Sequence, residues 1–384
     1  MIAVVADDLT GATEMGGISL TYGLTVELTM AVDAASKADL LVVATDARSV
    51  SEREAVQEMT TVSQGLKLLQ PRLLFKKVDS VLRGHVLAET EAQLAVLKLP
   101  RALIVPANPA LGRTLVNGHY YVHGKPIHQT HFADDPEFPI TNSHVVTRLR
   151  ADPERVQVQH HAVPLPEHGI VIGEVENEND LRSWAALADN QTLLGGGSGF
   201  FTALLASLGY TKRLFEKRAR LGDTRLYVCG SAFGESVGLV QRAAATGHAV
   251  SYMPPTLMQA EGIVQDDVTA WAEAVVDCFN QHQRVIMAIE PTPVPGGRNQ
   301  ALHLRTAMAH AVRAVLKQVP IEELIIEGGS TSSAILRAIG ITRLEPMQEL
   351  AAGVVRNRAV DGANVCITVK PGSYRWSPDL WIVD

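Results

Sequence analysis

The chain has 384 residues, 46% of them hydrophobic and 20% charged, the profile of an ordinary globular protein with two domains of roughly 100–200 residues each. Its formal net charge of -7, without long basic runs, argues against a nucleic-acid partner or an anionic membrane surface, so an anionic ligand must be held by a few local Arg and Lys side chains. The three cysteines Cys229, Cys278 and Cys366 are scattered without a C-x-x-C pair, which reads as reduced core thiols in a cytoplasmic protein and not as a disulfide or zinc framework.

Asp7 and Asp8 interrupt the first apolar run, so no signal peptide is expected, and nowhere do about 18 apolar residues run on as a membrane span would need. Short Val/Ile/Leu-rich runs at 2–6, 26–30, 40–44, 73–77 and 102–106 predict strands. Helical periodicity falls between several of them, at 11–22, 52–69 and 83–97. Continuous apolar runs suit strands covered on both faces, so the first half is expected to be a doubly wound, mainly parallel α/β unit. The pattern breaks down between 112 and 166, a stretch that reads as a long excursion. Alternation resumes with a strand at 170–174, a helix at 179–188, a strand at 192–194 and a helix from 200. The charged segment 211–224 looks like a linker or hinge, and the domain boundary is placed near 220, giving domains 1–220 and 221–384. A second α/β series follows, with strands at 226–229, 284–289, 324–327 and 364–369 and helices at 235–246, 266–282 and 301–316.

Ligands of open α/β sheets bind at the carboxyl ends of strands, so the residues after each strand carry the functional reading. The first strand ends in Asp7 and Asp8, where one carboxylate, or Thr10, could serve as a helix cap but two are more than a cap needs. The third places Arg48 just past its end. The fourth gives FKKVDSVLRGH, with Lys76, Lys77, Val78, Asp79, Ser80 and Arg83 at one strand-to-helix junction. The fifth runs into VPANPALGRT and presents Arg113. Such a set suits a small polyhydroxy carboxylate: the Arg forks pair with its carboxylate while Asp groups accept hydroxyl hydrogens. Asp8 or Asp79 is the candidate general base, and Lys77 and Arg83 the catalytic cations.

The second series ends its strands differently. Gly230 and Ser231 follow one strand; Gly328, Gly329, Ser330 and Thr331 lie between another and a helix; Lys370 and Gly372 follow the last. Glycines that allow close approach, hydroxyl donors and a helix N-terminus make a phosphate cradle, which points to a nucleotide. Other patterns carry less. GHYYVHGKP fails the P-loop spacing, and GGGSG at 195–199 lacks the third glycine of a dinucleotide fingerprint. His119, His123, His128 and His131 are read as surface or cleft residues and not as a zinc site. No Gly-x-Ser-x-Gly elbow is present.

Taken in order, ADDLTGATE, FKKVDSVLRGH, PANPALGRTLVNGHYYV, EGGSTSSAIL and the late KPG loop resemble the landmarks of the four-carbon acid sugar kinases, over residues 2 to about 380. The chain departs from many relatives at Val81, His85, Ser330 and Pro371. The resemblance implies an N-terminal domain that binds a tetronate-type acid, a C-terminal domain that binds ATP, and an interdomain active-site cleft. Its implied substrates are threonate, erythronate or a 3-oxo-tetronate, phosphorylated on the terminal hydroxyl. Carried over by motif, Asp8, Arg48 and the 76–79 segment contact the acid, while Ser231, Gly328 to Thr331 and Gly372 contact ATP. Mg²⁺ accompanies the nucleotide, with its protein ligands unassigned. The expected partners are the sugar acid and ATP, with no nucleic acid and no membrane; a homodimer is left open. The alternatives are a catalytically silent sensor of sugar acids and a nicotinamide-dependent oxidoreductase.

Overall fold

The computed structural model describes residues 1–135, 137–213, 220–230, 234–259, 262–290, 297–362, 364–372 and 374–381. The chain folds as two units, Met1–Leu214 and Phe215–Asp384. No helix among the described residues is long and apolar enough to cross a membrane.

In chain order the first unit runs β1 (Ile2–Ala6), α1 (Leu9–Thr21), β2 (Val26–Thr29), β3 (Leu40–Ala44), α2 (Glu52–Leu69), β4 (Leu73–Lys77), α3 (Val86–Leu97) and β5 (Arg101–Val105). It continues with β6 (Arg113–Val116), β7 (His119–Val122), β8 (Lys125–Pro126), α4 (Val145–Arg148), β9 (Val156–Gln159), β10 (Gly169–Gly173), α5 (Glu178–Ala186), β11 (Thr192–Gly196) and α6 (Ser198–Ser207). Eight strands form a parallel sheet in the order β2-β3-β1-β4-β11-β5-β10-β9. β1 and β3 are buried at every position, as the uninterrupted apolar runs require of strands covered on both faces. Ala3, Val5, Leu41 and Val43 pack with Met59, Val62 and Leu66 of α2 on one face. The chain leaves β1 towards β2 and β3 on one side, then crosses over to β4 on the other. That reversal of direction opens a crevice at the carboxyl ends of β1, β3 and β4.

The excursion is more ordered than its sequence suggested. β6, β7 and β8 form a small antiparallel sheet. Asn117-Gly118 and His123-Gly124 make its two turns, each with both residues at positive φ, as two-residue hairpin turns demand. β9 joins the edge of the large sheet. The Asn-Gly pair between β-rich segments was the available signal for the first hairpin.

The second unit runs β12 (Arg225–Cys229), α7 (Gly234–Ala245), β13 (Ala249–Tyr252), α8 (Pro255–Gln259), α9 (Gln265–Phe279), β14 (Arg284–Ala288), α10 (Gly297–Leu316) and β15 (Glu323–Glu327). It closes with α11 (Gly329–Ile339), β16 (Arg343–Ala351), β17 (Val354–Ala359) and β18 (Cys366–Lys370). Its strands order β13-β14-β12-β15-β18-β17-β16, parallel as far as β18 and antiparallel through β17 and β16. Tyr227, Trp376 and Trp381 anchor one core cluster with Ile286, Ile325 and Val240. The expected strands and helices are present with ends shifted by a few residues. β13 and the β16–β17 hairpin were not anticipated, and of the expected hinge at 211–224 the residues 214–219 lie outside the described residues.

Candidate active site

The crevice of the first unit gathers the charged strand ends into one network with Arg48 at its centre. Asp7 and Asp8 leave β1 directly, and Arg48 arrives from a short 3₁₀ turn after β3, Ala47–Ser49. The Arg48 guanidinium grips both oxygens of Asp7 at 2.8–3.0 Å and reaches Asp8 Oδ2 at 2.9 Å. Asp79 Oδ1 from the end of β4 lies 3.6 Å away. Asp8 also caps α1, accepting the Gly11 N–H at 2.7 Å and the Thr10 hydroxyl at 2.7 Å. Capping and ion pairing are thus both real for Asp8, one per oxygen edge. Gly11 is required here: a Cβ on it would sit 2.9 Å from Asp8 Oδ1 and 3.0 Å from Lys77 Nζ.

Asp79 holds the other half. Its carboxylate pairs side-on with Arg83, at 2.8 and 3.0 Å, and accepts the Val81 and Arg83 amides. Arg83 extends on to Asp135 at 2.7 Å. Arg113 donates to the Ser80 hydroxyl, and Phe132 lies under both guanidinium groups, 5.4 Å from Arg83 and 5.8 Å from Arg113. Asp135 and Phe132 were missed in the sequence because the pairing is long-range and the excursion gave no period to place them. Glu14, 3.6 Å from Lys77, was missed too; it lies on the same helix that Asp8 caps.

Strand alternation corrects one assignment and explains another. In register, Lys76 lies beside Val5 and Lys77 beside Ala6, so the two lysines face opposite sides of the sheet. Lys77 points with Ala6 towards α1, where its Nζ donates to Val78 O at 3.0 Å. Lys76 instead joins the α2–α3 side and pairs with Glu89 at 2.6 Å, both side chains buried from solvent. Lys76 is therefore no substrate ligand, and the fully buried Val78 contributes its backbone and not a contact surface. Asp7 is also less available than expected, since both its oxygens are committed to Arg48.

Burial and neighbours push these carboxyl groups apart. Burial raises Asp7 to about 6 against the pull of Arg48, with the charge of Asp8 adding to the rise. Burial also opposes ionisation of Asp8 and Asp79, yet Arg48 and Lys77 hold Asp8 below its usual value. Arg83 and Arg48 hold Asp79 well below the usual carboxylate range. Asp8 and Asp79 therefore stay ionised at neutral pH, while Asp7 titrates above them.

In the second unit the strand ends meet at β12 and β15. Gly328, at φ 97°, precedes α11, whose N-terminus has no side-chain cap. Gly329, Ser330 and Thr331 form its first turn. Gly230 approaches so closely that a Cβ there would lie 2.9 Å from Thr331 Oγ1. A helix N-terminus beside a side-chain-free approach suits a phosphate group. Gly372 lies in the turn after β18, where Pro371 O accepts the Tyr374 N–H at 3.1 Å. Ser231 lies outside the described residues. Lys370 needs correction as a phosphate ligand: it is fully buried, and its Nζ pairs with Glu327 at 2.7 Å.

The remaining patterns resolve structurally. The glycines of GGGSG let β11 press against its neighbours, since a Cβ on Gly195 would meet Lys76 O at 2.7 Å and one on Gly196 Val105 O at 2.1 Å. His119 stacks near His144 and bonds Ser143. Among the described residues the one group that could hold a metal is His160, His161 and Asp180, at the far edge of the sheet; there Asp180 also accepts two backbone amides before α5.

Comparison with known proteins agrees with this division. Residues 2–204 match the family model of a sugar-binding N-terminal domain, and residues 226–374 that of a nucleotide-binding C-terminal domain. D-threonate kinase of Salmonella typhimurium is 24% identical, covering 97% of this chain and 94% of its own. 3-Oxo-tetronate kinase of Cupriavidus necator is 24% identical, covering 99% and 95%. D-erythronate kinase of Heliobacterium modesticaldum is 30% identical over a shorter stretch, 43% of this chain and 38% of its own. The fold is shared with a Haemophilus influenzae protein of the family-model DUF1537, at TM-score 0.67 and 20% identity, over 97% of each chain. A match of this extent, joined to the motifs above, makes the chain an enzyme of the four-carbon acid sugar kinase family.

Proposed function

We propose that this kinase transfers the γ-phosphoryl group of ATP to the terminal hydroxyl of a four-carbon sugar acid such as threonate, erythronate or a 3-oxo-tetronate. The observation that carries the reading is the convergence of three strand ends on Arg48, which sets two carboxylates held below their usual value, Asp8 and Asp79, beside Arg83 and Lys77. Carboxylates of this kind accept the hydrogens of a polyhydroxy ligand, and the flanking cations favour its carboxylate. Asp8 or Asp79 orients the acceptor hydroxyl and receives its proton. Lys77 and Arg83 offset the negative charge that gathers in the transition state; in phosphoryl transfer such positioning and neutralisation supply most of the catalysis.

The nucleotide is assigned to the second unit, at Gly230, Gly328, Gly329, Ser330 and Thr331. ATP supplies the transferable group and Mg²⁺ the neutralisation of its phosphates. Sugar-acid binding by the first unit and nucleotide binding by the second follow the names of the matched family models. The test is coupled ADP release with Mg-ATP against D-threonate, D-erythronate and 3-oxo-tetronates. Turnover on one acid is the expected result. No turnover on any, with no rise in melting temperature on adding ATP, would sink the reading.

A further inference from the structure

The turn joining β4 to α3 carries Asp79, Ser80 and Arg83, yet its backbone does not support itself alone. Leu82 sits at φ 59°, a left-handed conformation that is strained for an L-residue with a full side chain. The amide side is closed from within: Asp79 Oδ2 accepts Val81 N–H at 3.2 Å and Arg83 N–H at 3.1 Å, and Asp79 O accepts Leu82 N–H at 2.8 Å. The carbonyl side is closed from outside, by the excursion. The Tyr120 hydroxyl donates to Ser80 O at 2.5 Å, and Arg148 Nη2 donates to Val81 O at 2.7 Å.

These two donors are unusual for what else they do. Tyr120 is fully buried, and burial holds its phenol protonated, so it remains a donor. The Arg148 guanidinium lies 5.9 Å from the Tyr120 ring centroid, and its Nε and Nη1 are buried without a hydrogen-bond partner. Among the described residues no carboxylate pairs with it. Guanidinium nitrogens buried without a partner are costly, and the Nη2 of this half-buried side chain is given to the turn.

We propose that Tyr120 and Arg148 are positioning residues that fix the carbonyl side of the 79–83 turn and so set Asp79 and Arg83 for the acceptor. The catalytic consequence rests on the acceptor-site reading above; the effect on the turn does not.

The test uses the full chain with Tyr120→Phe, Arg148→Met and Arg148→Lys. Amide hydrogen exchange over residues 79–84 is measured first. Tyr120→Phe and Arg148→Met should exchange there about tenfold faster, a change of the size one lost hydrogen bond gives, with little change in global stability. Arg148→Lys, which keeps a donor, should recover most of the protection. With whichever of D-threonate, D-erythronate or a 3-oxo-tetronate turns over, kcat/KM for the acid should fall by about tenfold while KM for ATP holds. Unchanged exchange at 79–84 in Tyr120→Phe overturns the proposal, as does a loss of activity that only tracks the folded fraction. Should Arg148→Met not fold, Tyr120→Phe decides alone, because it removes a single oxygen. Should the wild type phosphorylate none of these acids, the activity reading fails while exchange still decides the clamp.

Discussion

Strand ends in the two units present different parts of the chain. In the first unit they present side chains: Asp7 and Asp8 from β1, Arg48 after β3, Asp79 and Arg83 after β4, all locked to one another. In the second they present backbone, with Gly230 clearing space beside Thr331 and Gly328 and Gly329 at the start of α11. The second unit has charge at its strand ends too, but Glu327 and Lys370 are buried as a pair. The first contains a counterpart, Lys76 with Glu89, equally buried. In both pairs one carboxylate oxygen lacks a hydrogen-bond partner. A charge at a strand end is thus not by itself a ligand; the strand's parity decides whether it faces the crevice or the core.

This contrast can be broken in several places. The largest effect is expected for Asp79→Ala, which should cut turnover by about 10²–10⁴-fold, the range for losing a positioned acid–base group. The rise in melting temperature on adding ATP should survive, because the cradle lies in the other unit; its loss would mean the two sites are not separable. Next, Lys76→Met should destabilise the fold by about 3–5 kcal/mol in urea unfolding, since it strands the buried Glu89 charge. Lys76→Met with Glu89→Leu should return most of that stability and retain activity. A dead but stable double variant would restore Lys76 to the site.

A third effect concerns pH. With Asp7 raised to about 6 from an ordinary 3.8, the folded state holds a proton that the unfolded state has lost. Its contribution is full below pH 3.8 and is lost as pH rises through 6. The loss is on the order of 2–3 kcal/mol at 1.36 kcal/mol per unit. Asp8 and Asp79 run the opposite way: their contributions are present above 3.8 and fade only at lower pH. Asp7→Asn should therefore flatten stability between pH 4 and 6, as chemical unfolding at each pH would show; an unchanged slope would remove Asp7 as its source. The smallest effect is expected for Gly230→Ala, whose new methyl would crowd Thr331. It should raise KM for ATP about tenfold, near 1.4 kcal/mol, and leave KM for the acid unchanged. An equal rise in both would argue against a dedicated cradle.

Much of this was legible in the residues because the strands are continuous apolar runs whose ends carry distinctive chemistry. Asp8, Arg48, Asp79 and Arg83 could be named as one cluster before any geometry, since parallel strands bring their carboxyl ends to one edge. Lys76 could not be separated from Lys77 without the register of β4 against β1. Asp135, Phe132 and Tyr120 depend on how the excursion folds back, and two hairpin turns in a segment without periodicity do not reveal that. The β16–β17 hairpin escaped because Arg343–Ala351 mixes Glu, Gln, Pro and Met in no clear alternation.

Arg48 has a consequence for how a ligand enters. All three of its nitrogens are already engaged, by Asp7 and Asp8, with Asp79 close by. Under the proposed reading, an arriving carboxylate gains Arg48 only by exchange, as an aspartate loosens its hold. Such a swap leaves the number of ion pairs nearly constant, so affinity for the acid should respond weakly to ionic strength. Discrimination then falls to the hydroxyl groups and their handedness, because charge is a currency every short sugar acid carries alike.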